Sequence, residues 1–261
     1  MSALRRILEL VSRGELSVDA AERRLRVLAI EEIGDLAKID VGREFRKGIP
    51  EVILAEGKTP MGLVEIALKM LRNSGRAIIS RADEKQIEAL KKAAPEDTAI
   101  EVNERARTII LRRKDLKKTK TGGRVGILTA GTSDIPVAEE ARIIAEEMGC
   151  EVTTAYDVGV AGIHRLIQPL KEMVAKDVDV LIVVAGREGA LPTVVAGMVD
   201  VPVIAVPASI GYGLGEKGVS ALMAMLQSCS LGMAVVNIDG GVAAGATAAL
   251  IANRTARFRN K

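Results

Sequence analysis

Five stretches in the second half of this 261-residue chain collect residue types that handle anions and nucleophilic chemistry. Ala130-Gly131-Thr132-Ser133-Asp134-Ile135-Pro136 sets a flexible glycine, two hydroxyls and a carboxylate before a proline suited to a first helical turn. Backbone N–H groups at such a helix start, with Thr132 and Ser133, can hold a phosphate. Equally, Ser133 or Asp134 can simply cap the helix. Asp157-Val158-Gly159-Val160-Ala161-Gly162-Ile163-His164-Arg165 holds the only histidine, with an arginine beside it. Its glycines do not make the Gly-x-Gly-x-x-Gly dinucleotide fingerprint, and a lone histidine is more often structural than a ligand. Ala185-Gly186-Arg187-Glu188-Gly189-Ala190-Leu191-Pro192 puts two opposite charges directly behind a very apolar run. Charges there need partners or a ligand, because unpaired burial is expensive. The long stretch Pro207–Gly218 is rich in glycine, which permits close backbone approach, motion or simple turns. Gln227-Ser228-Cys229-Ser230-Leu231-Gly232 offers a thiol between two serines. A free cysteine is usually a small buried hydrophobe, and Cys150, behind Gly149, reads that way.

The elements that must position these residues have a clear rhythm. Apolar runs at Val125–Thr129, Glu151–Tyr156, Val178–Val184, Val201–Val206 and Ala234–Ile238 read as strands. They alternate with helical spacing over Val137–Met148, Ile163–Lys176, Leu191–Met198, Val219–Gln227 and Gly245–Asn253. Such alternation predicts an α/β fold, a parallel, doubly wound sheet covered on both faces. Ligands of such sheets sit beyond the carboxyl ends of the strands, where the first four loops fall. The Cys229 stretch leads into a strand instead, so its spacing does not place it in their pocket.

The front half differs. Residues 1–120 hold 26 Lys+Arg and 20 Asp+Glu, net 26 − 20 = +6; residues 121–261 hold 11 and 14, net −3. Glycine divides the other way, 7 against 18. Helices are expected over Ser2–Val11 and Val18–Leu28, the second capped by Ser17. A small α/β unit follows, with strands at Glu51–Ala55, Ala77–Ser80 and Ala99–Val102 and helices at Met61–Asn73 and Glu84–Ala93. Gly57-Lys58-Thr59 lacks the upstream glycine of a nucleotide-triphosphate loop and reads as a turn. The expected organisation is a smaller N-terminal domain over 1–111, a basic and glycine-containing linker over 112–123, and a catalytic domain over 124–261.

Composition removes several classes. With two Phe, two Tyr and no Trp, stacking on single-stranded nucleic acid is not expected, and the net charge of +3 gives no basic footprint for a duplex. Two cysteines and one histidine cannot close a structural zinc site. No apolar stretch reaches the roughly 18 residues of a membrane span, and no signal core opens the chain. A cytoplasmic protein is expected.

The combination Gly131-Thr132-Ser133-Asp134, Ala161-Gly162-Ile163-His164-Arg165 and Gly189-Ala190-Leu191-Pro192 resembles the aminoimidazole-ribonucleotide carboxylase/mutase superfamily over about Arg124–Asn253. Three departures stand out. Ala190 occupies the place of a histidine in the purine enzymes, Glu188 lies just upstream, and Ser228-Cys229-Ser230 replaces their Met-Pro segment. With Tyr156–Arg165, Val236-Asn237-Ile238-Asp239 and Arg43–Ile53, the chain is similar to the LarB family of pyridinium biscarboxylic acid mononucleotide synthases.

That resemblance implies a flavodoxin-like catalytic domain and a defined reaction. Nicotinic acid adenine dinucleotide is carboxylated on its pyridinium ring and its phosphoanhydride is hydrolysed, releasing AMP and yielding a precursor of the nickel-pincer cofactor. Carbon dioxide or bicarbonate is the co-substrate, Mg2+ is expected, and a homo-octamer or other homo-oligomer has sites completed by neighbouring copies. Cys229 becomes the nucleophile that adds to the ring, and Glu188, less directly Asp134, the general base. Gly131, Thr132, Ser133, Asp157, His164, Arg165, Gly186, Arg187 and Gly189 become substrate-binding residues; metal ligands are not identified. Two other readings stay open: a purine-type carboxylase or mutase, against which Ala190 and Cys229 count, and a non-catalytic nucleotide-binding regulator with the basic front as partner surface.

Overall fold

A computed structural model describes residues 3–22, 30–33, 37–40, 42–211, 213 and 215–259. The chain forms two compact units, Met1–Val102 with Arg107–Lys117, and Asn103–Ala106 with Lys118–Lys261. In the first, α1 (Ala3–Ser12) matches the first expected helix to within one residue at its end, and the helical residues 18–22 (α2) fall within the second; residues 23–28 of that expectation lie outside the described residues. The ribbon β1 (Ile30–Ile33) and β2 (Ala37–Asp40) is antiparallel, and a short α3 (Arg43–Lys47) follows. Next come β3 (Val52–Leu54), α4 (Pro60–Ser74), β4 (Arg76–Ser80), α5 (Glu84–Ala93), β5 (Thr98–Asn103) and β6 (Thr108–Arg113), with sheet order β3-β4-β6-β5.

Local chemistry explains these boundaries. Thr59 accepts the Gly62 N–H and Pro60 opens α4, while Asp83 and Gln86 form a reciprocal capping box on α5. The buried Gln86 amide also donates to the carbonyls of Ala55 and Lys58, so Gly57-Lys58-Thr59 is the turn it reads as. The sequence reading missed β1, β2, α3 and β6. Arg112 and Arg113, read as the start of a basic connector, instead finish β6. Arg112 stands opposite Arg76 on β4 and is buried, with Glu101 at 3.5 Å. Residues 114–123 carry no helix or strand.

The second unit contains β7 (Arg124–Thr129), α6 (Ile135–Glu147), β8 (Glu151–Ala155), α7 (His164–Ala175) and β9 (Val180–Ala185). It continues through α8 (Ala190–Ala196), β10 (Val203–Pro207), α9 (Val219–Leu226), β11 (Met233–Val235) and α10 (Gly241–Arg259). The five strands are parallel in the order β11-β10-β9-β7-β8, the flavodoxin-like arrangement. Every residue of β9 is buried, as its uninterrupted apolar run requires. Strand order reverses between β7 and β9, which opens a crevice beyond their carboxyl ends. Among the described residues no helix is long and apolar enough to cross a membrane.

Helix α10 starts four residues earlier than its expected Gly245 because its opening glycines let it lie almost on α6. A Cβ at Gly245 would stand 2.4 Å from the Ala141 carbonyl oxygen, and one at Gly241 2.5 Å from that of Val137. Backbone cannot yield as a side-chain tip can. Gly245→Ala is expected to destabilise the second unit by about 2 kcal/mol through overpacking, measured as a lowered midpoint in denaturant unfolding.

Candidate active site

The crevice is organised by one carboxylate. After β7, Gly131 leads into a single 3-10 turn, Thr132–Asp134, and then α6. Asp134 occupies the cap position of α6 but its side chain makes no cap bond to that helix. It turns back instead: Oδ2 accepts the Gly131 N–H at 2.8 Å and Oδ1 accepts the Gly186 N–H, on the loop after β9, at 3.2 Å. Asp134 therefore bridges the two loops that flank the crevice. Gly186 must be glycine, since a Cβ there would lie 2.5 Å from the Ile210 carbonyl oxygen. Burial of Asp134, helped by the negative charge of Asp239, raises its pKa against the lowering effect of the two N–H groups. Thr132 and Ser133 are exposed at the same edge.

The second loop leans on the first. Thr129, fully buried at the end of β7, accepts the Asp157 N–H on its hydroxyl at 3.0 Å and the Val158 N–H on its carbonyl at 2.9 Å. Gly159 is pressed on Ala130, whose carbonyl oxygen a Cβ would meet at 2.6 Å. Asp157 accepts an Arg165 guanidinium hydrogen bond at 2.6 Å, and His164 is the exposed first residue of α7.

On the third loop the Arg187 carbonyl accepts the Ser220 hydroxyl at 2.8 Å, and Gly189 has φ 64 with the Ala221 backbone where a Cβ would sit. Glu188 is exposed beside them. Asp239, after β11, donates its N–H to Pro207 and accepts the Ser209 N–H, both at 2.8 Å, and so ties the loops after β10 and β11 together. Four of the seven non-glycine residues with left-handed backbone among those described fall on these loops: Asp157, Arg187, Lys217 and Asp239. Strain of this kind gathers where a scaffold presents a ligand site.

Cys229 and Cys150 differ sharply. Cys150 is buried, its thiol pushed up to about 12 by burial. Cys229 is exposed, on a loop pinned to α8: Thr193 donates its hydroxyl to Ser228 at 3.0 Å, and Ser230 donates to the Thr193 carbonyl at 2.9 Å. That loop precedes β11, and Gly232 accepts the N–H of Val203, which opens β10, at 3.0 Å. Within one chain Cys229 thus lies at the end of the strands opposite Asp134. The structure brings Gly131, Asp134, Asp157, Arg165, Gly186, Arg187 and Gly189 to one edge, with Thr132, Ser133, His164 and Glu188 exposed on it, and leaves Cys229 apart.

Residues that sequence reasoning passed over support this edge. Glu139, on α6, is buried; burial alone would raise its pKa. Hydrogen bonds from Arg142, Tyr156 and Asn103, with the Arg142 charge, outweigh that and bring it to about 2. Tyr156 is pushed up to about 12, by burial first and by its bond to Glu139 second. The spacing Glu139-x-x-Arg142-x-x-x-Glu146 was a visible signal of helix ion pairs, but burial of the first carboxylate was not. Magnesium finds no ready cage: among the described residues no group of three or more His, Cys, Asp or Glu could hold a metal ion, and both oxygens of Asp134 already accept N–H groups.

The AIR carboxylase family matches residues 124–261, and the LarB/PurE-like N-terminal domain matches residues 30–114. The chain belongs to the AIR carboxylase family. This carboxylase-family chain is 47% identical over 251 residues to the uncharacterized protein MJ0165 of Methanocaldococcus jannaschii, covering 95% of this chain and 96% of that one. It is 36% identical over 117 residues to an N5-carboxyaminoimidazole ribonucleotide mutase of the same organism, covering 44% of this chain and 69% of the mutase. A mutase of the same name from Thermotoga maritima is 31% identical over 133 residues, covering 49% and 74%.

Glu139 gives a pH-dependent prediction. Its folded pKa, about 2, lies below the ordinary 4.5, so the stability it contributes is full above that ordinary value and lost as pH falls through the folded one. Acid unfolding curves of the natural protein and Glu139→Gln are expected to differ at neutral pH and to converge across that window. Asp134→Ala leaves the N–H groups of Gly131 and Gly186 without their acceptor and is expected to cost about 2–3 kcal/mol, read from denaturant unfolding.

Proposed function

We propose that this AIR carboxylase-family protein carboxylates the pyridinium ring of nicotinic acid adenine dinucleotide and hydrolyses its phosphoanhydride, releasing AMP. The observation that carries the reading is Cys229: an exposed thiol on a loop held in place by Ser228 and Ser230, where the purine enzymes carry Met-Pro. The match of residues 30–114 to a LarB/PurE-like domain supports the same branch. A pyridinium ring is electron-poor and does not attack carbon dioxide. Addition of the Cys229 thiolate to a ring carbon moves an electron pair onto the ring nitrogen and leaves a neutral dihydropyridine. Its neighbouring carbon is then an enamine-type nucleophile that forms the new bond to carbon dioxide. Glu188 takes the proton from that carbon, the electron pair returns to the ring, and the thiolate departs with aromaticity restored. The exposed Thr132 and Ser133, with His164, Arg165 and Arg187, offer the charges and hydroxyls for the phosphates, and the N–H groups opening α7 add to them.

Since Cys229 and the Asp134 edge lie at opposite ends of one sheet, the reading requires a homo-oligomer in which one copy lends its Cys229 loop to another, a homo-octamer by the resemblance. Met223, Leu226 and Leu231, exposed around that loop, supply an apolar surface for it. Mass spectrometry after incubation with nicotinic acid adenine dinucleotide, bicarbonate and magnesium is expected to show a carboxylated mononucleotide and AMP. Cys229→Ala is expected to bind the dinucleotide and form no carboxylated product; near-normal turnover by it would exclude covalent catalysis. Mixing Cys229→Ala copies with Glu188→Gln copies is expected to restore part of the activity, and a monomer in light scattering would refute the shared site. The mutase relatives keep a purine reading in view, which turnover of N5-carboxyaminoimidazole ribonucleotide by the same preparation would favour.

A further inference from the structure

One buried polar network stands behind the substrate edge without touching it. Glu139 Oε1 accepts the Tyr156 hydroxyl and Arg142 Nε, the latter at 2.9 Å. Its Oε2 accepts the Asn103 amide and Arg142 Nη2, the latter at 2.8 Å. Four donors saturate one carboxylate whose side chain is only 10% exposed, so this is no solvated surface pair. Arg142 is itself fixed by Glu146 at 2.7 Å, and Asn103 closes β5, the first of four residues, Asn103–Ala106, that count with the second unit.

The network ends where the site begins. Tyr156 is joined by one peptide bond to Asp157, which is held at φ 59, gives its N–H to Thr129 and grips Arg165. A left-handed backbone at a non-glycine residue costs roughly 1–2 kcal/mol and persists only where its surroundings impose it. Thr129 holds Asp157 from one side. From the other, the adjoining residue is clamped through its hydroxyl.

We propose that Glu139 and Tyr156 are positioning residues, their hydrogen bond fixing the β8–α7 loop so that Asp157 presents Arg165 to the anionic part of the substrate. Identifying that substrate as a dinucleotide rests on the proposed function; the anchoring of the loop does not. Neither residue takes part in bond making. Loss of the anchor weakens binding and spares the chemical step, because Cys229 and Glu188 stand on other loops.

The test pairs Tyr156→Phe, which deletes one oxygen, with Asn103→Ala, which leaves Tyr156 in place and removes one donor from Glu139. In Tyr156→Phe the KM for nicotinic acid adenine dinucleotide is expected to rise about tenfold with kcat within about twofold, and in Asn103→Ala to rise less. Hydrogen exchange measured without substrate is expected to quicken at Asp157 and Val158 in both variants while the amides of β9 keep their protection. Asn103→Ala carries the test alone if Tyr156→Phe does not fold. Unchanged exchange at the loop overturns the proposal, as does a fall in kcat at constant KM, which would put Tyr156 in the chemistry. Failure of the natural protein to turn over the dinucleotide would instead remove the functional reading, and the exchange result would still decide the anchor.

Discussion

The loops at the crevice are referenced to the buried carboxylate of Asp134. A doubly wound sheet opens a crevice wherever strand order reverses, but a crevice between two independent loops has no fixed shape. Here one side chain accepts an N–H from each loop, Gly131 at 2.8 Å and Gly186 at 3.2 Å, and makes them one surface. The bonds are charge-assisted and shielded from water, where such contacts are strongest. Asp239 repeats the device between the loops after β10 and β11. Two acidic residues thus tie four loops pairwise, and the mutual repulsion of their charges is tolerated because each is met by backbone N–H groups.

This arrangement separates shape from chemistry. The groups that define the edge, Asp134, Asp157, Gly186 and Gly189, are committed to the protein, whereas Thr132, Ser133, His164 and Glu188 remain exposed. The scaffold can therefore accept substitutions among the second set without losing its form.

The parallel sheet was legible because runs such as Val180–Ala185 are apolar without interruption, a pattern that few other folds need. Strand β6 was not, because its apolar centre, Ile109 to Leu111, passes straight into Arg112 and Arg113, and a charged end reads as solvent until its neighbours are known. At the site, loop composition singled out Asp134 but offered it only as a helix cap or part of an anion site; its bridge between two loops appears only with the position of Gly186. Spacing also foresaw that Cys229 stands away from the other loops. Glu139 escaped notice because a glutamate on an amphipathic helix is ordinarily exposed, and nothing local announces that Tyr156 and Asn103 converge on it.

The buried carboxylate of Asp179 draws a different kind of consequence. One oxygen accepts the N–H of Arg124, the first residue of β7, and the other is paired with Arg259 at the close of α10. Strand β7 is an inner strand of the sheet, between β9 and β8, yet the partner that completes its lower end is made after every other element of the unit. During synthesis the emerging sheet therefore carries a carboxylate without its Arg259 partner, and an uncovered flank of α6, until α10 has left the ribosome. Folding of this unit therefore waits for α10 and is not completed strand by strand.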